Sequence, residues 1–163
     1  MSTGGDGEWE FTTAKANTGV YSVRSPNLDN EERIQGSSNF TLSAPPGLSG
    51  GVFYFSILAG VVLPFDIIEY YVDGLPVSSG GDVVEMTDFE QRSFNLPPGF
   101  RKVDFVYKYN PLGISKEEFP PELPDHIGAV FLDDVFFEPD EYYLPDDSSG
   151  IAPQYSTSSF WTS

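Results

Sequence analysis

Apolar residues along this chain recur with a period of two, in short runs cut off by glycine, proline or acidic turns. Trp9 and Phe11 alternate with polar neighbours and predict a first strand. Residues 20–25 alternate and stop at Pro26, and residues 39–43 alternate and stop at Pro45-Pro46-Gly47. Residues 52–58 are apolar without alternation, as in a strand covered on both faces. Residues 67–72 run into Asp73-Gly74, a hairpin-turn dipeptide, and the strand resumes at Leu75-Pro76-Val77. Residues 83–86 and 92–96 predict shorter strands. Residues 102–109 place Val103, Phe105, Tyr107 and Tyr109 on one face. No window keeps the i, i+3, i+4, i+7 spacing of an amphipathic helix. About nine strands with turn signals every ten to fifteen residues predict an all-β, two-sheet antiparallel β-sandwich. A jelly roll is preferred over an immunoglobulin-type sandwich, whose Cys-Trp-Cys pattern is missing.

The last predicted strand, residues 129–137, is apolar on both sides of the pair Asp133-Asp134. Successive side chains of a regular strand point to opposite faces, so the two carboxylates are expected on different sides. One of them would then point inward, which is costly unless it is hydrogen-bonded, ion-paired or metal-bound.

The pattern divides the chain into a disordered lead-in over 1–7, a sandwich over 8–139 and an acidic, Ser-rich tail or linker over 140–163. Residues 27–38 and 110–127 read as loops. Residues 1–7 lack the apolar stretch of a signal peptide, and the start is expected to be a cut from a longer protein. No run approaches the ~20 apolar residues of a membrane-spanning helix.

Composition narrows the partners. The 163 residues carry a formal charge of −17, and no lysine or arginine follows Lys116. That charge argues against nucleic acid and against insertion into or docking on an anionic membrane, and it is compatible with cations and neutral glycans. With no cysteine, the chain has no disulfide, thiolate metal site or cysteine nucleophile.

Several phrases occur in a recognisable order: Gly19-Val20-Tyr21-Ser22-Val23-Arg24-Ser25-Pro26, Phe40-Thr41-Leu42, Val52-Phe53-Tyr54-Phe55 and Tyr71-Val72-Asp73-Gly74. Leu96-Pro97-Pro98-Gly99, Val103-Asp104-Phe105-Val106-Tyr107 and Gly128-Ala129-Val130-Phe131-Leu132-Asp133-Asp134-Val135 complete it. This order resembles the MAM domain and the wider concanavalin-like and carbohydrate-binding jelly rolls of extracellular proteins, without the cysteines of vertebrate MAM domains. The resemblance implies a non-catalytic extracellular or cell-surface module serving adhesion, self-association or glycan binding, in some cases with a structural calcium. It also implies that the last strand lies beside the N-terminal segment and its following loop.

On that footing, calcium is expected at Asp134, or at Asp133, with Glu8, Glu10, Asn27 and Asp29 as co-ligands. Calcium takes six to eight oxygens, so carboxylates and carbonyls suit it. The competing reading is a carboxylate that accepts hydrogen bonds from loop amides or pairs with Arg24. Tyr70, Tyr71, Tyr107 and Tyr109 are candidates for stacking on sugar rings, with Tyr54 on a neighbouring strand; the competing reading is core packing. Tyr142, Tyr143, Tyr155, Phe160 and Trp161 are candidate anchors of the tail to this domain or to a neighbour. Asn39-Phe40-Thr41 matches the N-glycosylation pattern.

Two other functions compete. Glu85, Asp88 and Glu90 resemble the acidic strand of laminarinase-type glycoside hydrolases, where two carboxylates act on a glycosidic bond. Glu85 and Asp88 are three apart, however, and fall on opposite faces of a regular strand. His126 is the sole histidine, and a Ser-His-Asp triad would depend wholly on it. The second competitor is a structural subunit that self-assembles through its tail.

Overall fold

The computed structural model describes residues 1–28, 36–60, 66–77, 86–109 and 129–140. Ten strands account for most of them: β1 (Ser2–Gly5), β2 (Glu10–Thr12), β3 (Ser22–Arg24), β4 (Gly36–Ser43), β5 (Gly51–Gly60), β6 (Asp66–Val72), β7 (Leu75–Pro76), β8 (Glu90–Leu96), β9 (Lys102–Tyr109) and β10 (Ala129–Pro139). No helix occurs among the described residues.

The strands form two five-stranded antiparallel sheets, one in the order β1-β4-β9-β6-β7 and the other in the order β2-β3-β10-β5-β8. Leaving out β1 and β2, the eight strands from β3 onward are dealt between the sheets as 3-10-5-8 and 4-9-6-7. That is the jelly-roll order expected from the sequence. The chain changes sheet after β1, β3, β4, β5, β7, β8 and β9, so each face is assembled from strands distant in sequence.

The alternation that predicted the strands also decides which side chains meet between the sheets. Val103, Phe105, Tyr107 and Tyr109 of β9 are almost wholly inaccessible and face Phe53, Phe55 and Ile57 of β5. Phe105 meets Phe55 edge-on with ring centroids 5.1 Å apart, and Tyr70 meets Phe105 in the same way at 5.7 Å. Edge-to-face contact sets the positive ring edge against the negative face, which adds to the burial of area. On β5, Ser56 and Leu58 are buried as well, so this half of the strand is covered on both sides, whereas Val52 and Tyr54 stay partly exposed.

A two-residue turn joins β6 and β7. Asp73 and Gly74 both have positive φ, 51° and 82°, the conformation that lets a two-residue turn follow strand twist. The Asp73 carboxylate also accepts the backbone N–H groups of Arg101 and Lys102, tying this hairpin to the start of β9.

Residues 1–7 require a correction. The expectation of a disordered lead-in rests on a Gly- and Ser-rich stretch without an apolar run. Instead Ser2–Gly5 pairs with β4, and the Asp6 carboxylate accepts the Ser37 N–H at 2.8 Å. Backbone pairing needs no apolar side chain, and glycine permits the close approach: a Cβ on Gly5 would sit 2.3 Å from the Ser37 carbonyl oxygen. Strand β4 likewise begins at Gly36, inside the stretch read as a loop. The expected loop over 110–127, the expected tail beyond residue 140, and Glu85 lie outside the described residues.

Candidate functional site

The Asp133-Asp134 pair sits at an irregularity in β10. Asp133 opposes Ser56 of β5, whereas Phe136 opposes Tyr54, so three steps on β10 match two on β5. The extra residue makes a β-bulge, and Asp134 adopts a left-handed backbone with φ of 47°. Aspartate tolerates that conformation better than most residues with a Cβ.

The bulge overturns the expectation that the two carboxylates diverge. Residues directly opposite in a ladder share a face, and Ser56 and Tyr54 lie between inward-pointing Phe53, Phe55 and Ile57. Asp133 therefore lies on the outer face of the second sheet. Asp134 reaches the same face, because its Oδ2 accepts the Ser56 hydroxyl at 3.3 Å.

Both carboxylates converge on one loop, between β2 and β3. Asp133 Oδ2 accepts the backbone N–H of Asn17 at 2.7 Å and of Thr18 at 3.2 Å, while its Oδ1 accepts the Asp134 N–H at 2.8 Å. Asp134 Oδ2 accepts the Asn17 side-chain amide at 2.6 Å, and its Oδ1 accepts the Thr18 hydroxyl. The pair therefore latches the loop onto the sheet with neutral donors alone.

The calcium co-ligands expected from the sequence do not join this cluster. Glu10 opposes Arg24 on β3 and pairs with it at 3.4 Å, and Arg24 in turn opposes Phe131. From that row, Glu8 and Asn27 continue toward the start of β10, away from Asp133 and Asp134. Asp29 lies outside the described residues. Among the described residues, no three acidic, histidine or cysteine side chains come together as a metal-ligand group. The oxygens around the pair are those of Asp134, Thr18 Oγ1 and Ser56 Oγ, while Asp133 gives both of its oxygens to backbone amides. Asn17 and Thr18, in the β2–β3 loop, are not among the sequence candidates. Their signal is the turn-forming run Asn17-Thr18-Gly19, with Gly19 at φ of 65°.

The tyrosine candidates are also corrected. Tyr70, Tyr107 and Tyr109 are buried between the sheets, because their positions fall on the inward phase of β6 and β9. They are core residues and present no ring to a ligand. Tyr71 is on the outer face of the first sheet, half-buried, and donates its hydroxyl to Glu69 at 2.5 Å. Glu69 also takes Lys108. Partial burial works to raise the Glu69 pKa, but hydrogen bonds from Lys108 and Tyr71 and the Lys108 charge outweigh it and hold the carboxyl below its ordinary value. Its hydrogen bond to Glu69 raises the Tyr71 hydroxyl correspondingly.

The outer face of the second sheet carries an aromatic pair, of which Tyr54 is a sequence candidate and Phe136 is not. Tyr54 and Phe136, directly opposite on β5 and β10, stack with centroids 4.6 Å apart and planes within 10°. Phe136 is 39% exposed, unusual for a phenylalanine. Asp133 and Asp134 lie on one side of the stack along the strands. Glu138, opposite Val52, lies on the other. Partial burial, followed by a hydrogen bond to Glu138 and the charge of that carboxylate, pushes the Tyr54 hydroxyl pKa up. Exposed Gln91, Ser93 and Asn95 of β8 oppose Ser56, Tyr54 and Val52 and complete a row of uncharged polar groups.

Of the enzyme candidates, Asp88 is exposed and accepts the Phe89 N–H, and Glu90 opens β8 paired with Arg92 at 2.8 Å. His126 lies outside the described residues.

No family model matches the sequence, and no curated protein does. The MAM resemblance therefore stands on the phrases quoted above. Solved structures with a similar backbone include the enzymatically active domain of tailspike protein 4 of bacteriophage CBA120, at 13% identity and a TM-score of 0.45. That match covers 85% of this chain and 19% of the tailspike. The K3 cleaved adhesin domain of Lys-gingipain from Porphyromonas gingivalis matches at 15% and 0.44, covering 75% of this chain and 73% of its own. A family 35 carbohydrate-binding module from Clostridium thermocellum matches at 12% and 0.35, covering 76% and 85%. At these distances the likenesses carry no function across to this chain. No described helix is long and apolar enough to cross a membrane.

Proposed function

We propose that this domain is a non-catalytic glycan-binding module of an extracellular protein, and that the outer face of the second sheet is its binding surface. The observation that carries the reading is the exposed Tyr54–Phe136 stack. A sugar ring has an apolar face of C–H groups and a rim of hydroxyls. The stack offers apolar ring surface, and Gln91, Ser93 and Asn95 beside it offer hydrogen-bond donors and acceptors, while the Asp133 and Asp134 oxygens hold the β2–β3 loop. Such a surface binds without cutting, and adhesion to a glycan-coated surface is the role it serves.

Calcium is a separable part of the proposal. Asp134, Thr18 Oγ1 and Ser56 Oγ supply oxygens, and the Asn17 amide turned by half a rotation would present its own oxygen beside them.

The test is titration calorimetry against neutral, acidic and amino polysaccharides, with Tyr54→Ala and Phe136→Ala beside the unaltered domain. Saturable binding that both variants lose supports the reading. Binding to none of the polymers, or binding indifferent to both substitutions, overturns it. Release of reducing ends from any of them would replace the binding module with an enzyme.

A further inference from the structure

The charge around the aromatic stack narrows the ligand further. Asp133 and Asp134 flank it at one end and Glu138 at the other, on the same face. Among the described residues, Lys15 belongs to the loop that Asp133 and Asp134 hold and forms no ion pair with either, and four other cations are paired with other carboxylates. Arg24 pairs with Glu10, Arg92 with Glu90, and Lys102 and Lys108 pair with Asp104 and Glu69 on the other sheet. None of these ion pairs includes Asp133, Asp134 or Glu138. The hydrogen bonds that Asp133 and Asp134 accept come from neutral amides and hydroxyls, so their charge is solvated but not cancelled.

We infer that the glycan recognised here carries protonated amino groups, as a glucosamine polymer does. This rests on the reading of the face as a glycan-binding surface. An amine set against the face of either ring that is not turned to its stacked partner gains the attraction of a cation for an aromatic face. Amines on neighbouring sugar units come within range of Asp133 and Asp134 in one direction along the strands and of Glu138 in the other. A uronic acid in the same place would meet three carboxylates and be repelled. An acetylated amino sugar keeps the shape and the hydrogen bonds but loses the charge.

The experiment compares a short glucosamine oligosaccharide with its N-acetylated counterpart and a neutral glucan of the same length. Calorimetry is run on the full chain, in excess chelator, at a pH where the amines are protonated. The amine form is expected to bind at least about tenfold more tightly than the acetylated one. Phe136→Ala, which leaves the net charge untouched, should remove that binding. Glu138→Gln, at an exposed position, should weaken the amine form several-fold more than the acetylated form. Equal affinity for the amine and acetylated forms overturns this inference while the glycan-binding reading survives. Binding of none of the three overturns both. Amine-dependent binding that persists in Phe136→Ala is a polycation attracted to an acidic protein and also overturns the inference. Should Phe136→Ala fail to fold, Glu138→Gln decides alone, because a change equal for the two forms, or none, refutes amine recognition.

Discussion

Replacing Asp133 by alanine removes the acceptor of three backbone N–H groups, from Asn17, Thr18 and Asp134. A hydrogen bond to a charged acceptor contributes about 1.5–3 kcal/mol when its partners stay out of water, so three of them bound the loss at about 4.5–9 kcal/mol. Asn17 and Thr18 are exposed, however, and water can satisfy their N–H groups once the carboxylate is gone. Each bond then counts at nearer its net value of about 0.5–1.5 kcal/mol, giving a total near 3 kcal/mol. For a chain of this length that lowers the melting temperature by about 6–12 °C. Asp133→Asn keeps one carbonyl oxygen but turns an N–H toward the donors on the other side, and about half the loss is expected. Differential scanning calorimetry measures the shift, and amide hydrogen exchange at Asn17 and Thr18 reports whether the loop has detached. A melting temperature within about 2 °C of the unaltered domain, with exchange at both amides unchanged, would refute the latch.

Gly51→Ala should destabilise the domain by about 3 kcal/mol or more, because the new Cβ would lie 2.2 Å from the Glu138 carbonyl oxygen and 2.7 Å from the Phe137 ring; soluble, normally melting protein would contradict the β5–β10 register. The depressed pKa of Glu69 contributes stability that is present above the ordinary glutamate value of 4.5 and is lost as pH falls through the lower folded value. Glu69→Gln should therefore flatten the acid limb of a stability-against-pH curve, and an unchanged limb would remove the Glu69–Lys108 pair as its source. If calcium binds at Asp134, a hundredfold excess over Kd adds about 2.7 kcal/mol, read as a rise in melting temperature over chelator that Asp134→Asn abolishes; coincident curves would remove the ion from the proposal.

The fold was legible because its main signals are local. Alternation over residues 102–109 and the unbroken run over 52–58 became β9 and β5, and Asp73-Gly74 became the hairpin turn. What escaped the sequence depends on backbone geometry and register. Strand β1 is held by main-chain pairing to β4, which leaves no apolar signature. The Asp pair was recognised as unusual, but alternation assigned its members to opposite faces, and only the bulge brings them together. Tyr70, Tyr107 and Tyr109 drew attention as tyrosines, while their phase on β6 and β9 buries them. The stack of Tyr54 on Phe136 joins residues far apart in the chain and follows from a register that no single strand specifies.

The bulge at Asp134 also gives β10 one residue more than its partner strand requires. Because pairing resumes at Phe136 opposite Tyr54, omitting Asp134 would leave Asp133 opposite Ser56 and Phe136 opposite Tyr54, with a regular ladder between them. Elsewhere in the strand a missing residue would turn every following side chain over, exposing Phe137 and burying Glu138. Strand β10 therefore has one place where its length can change by a residue without exchanging the inner and outer faces. A deletion there would release the loop at Asn17 and Thr18 from one of its two carboxylates yet leave the aromatic stack in its place. Attachment of the loop and composition of the exposed face can thus vary independently within a single strand.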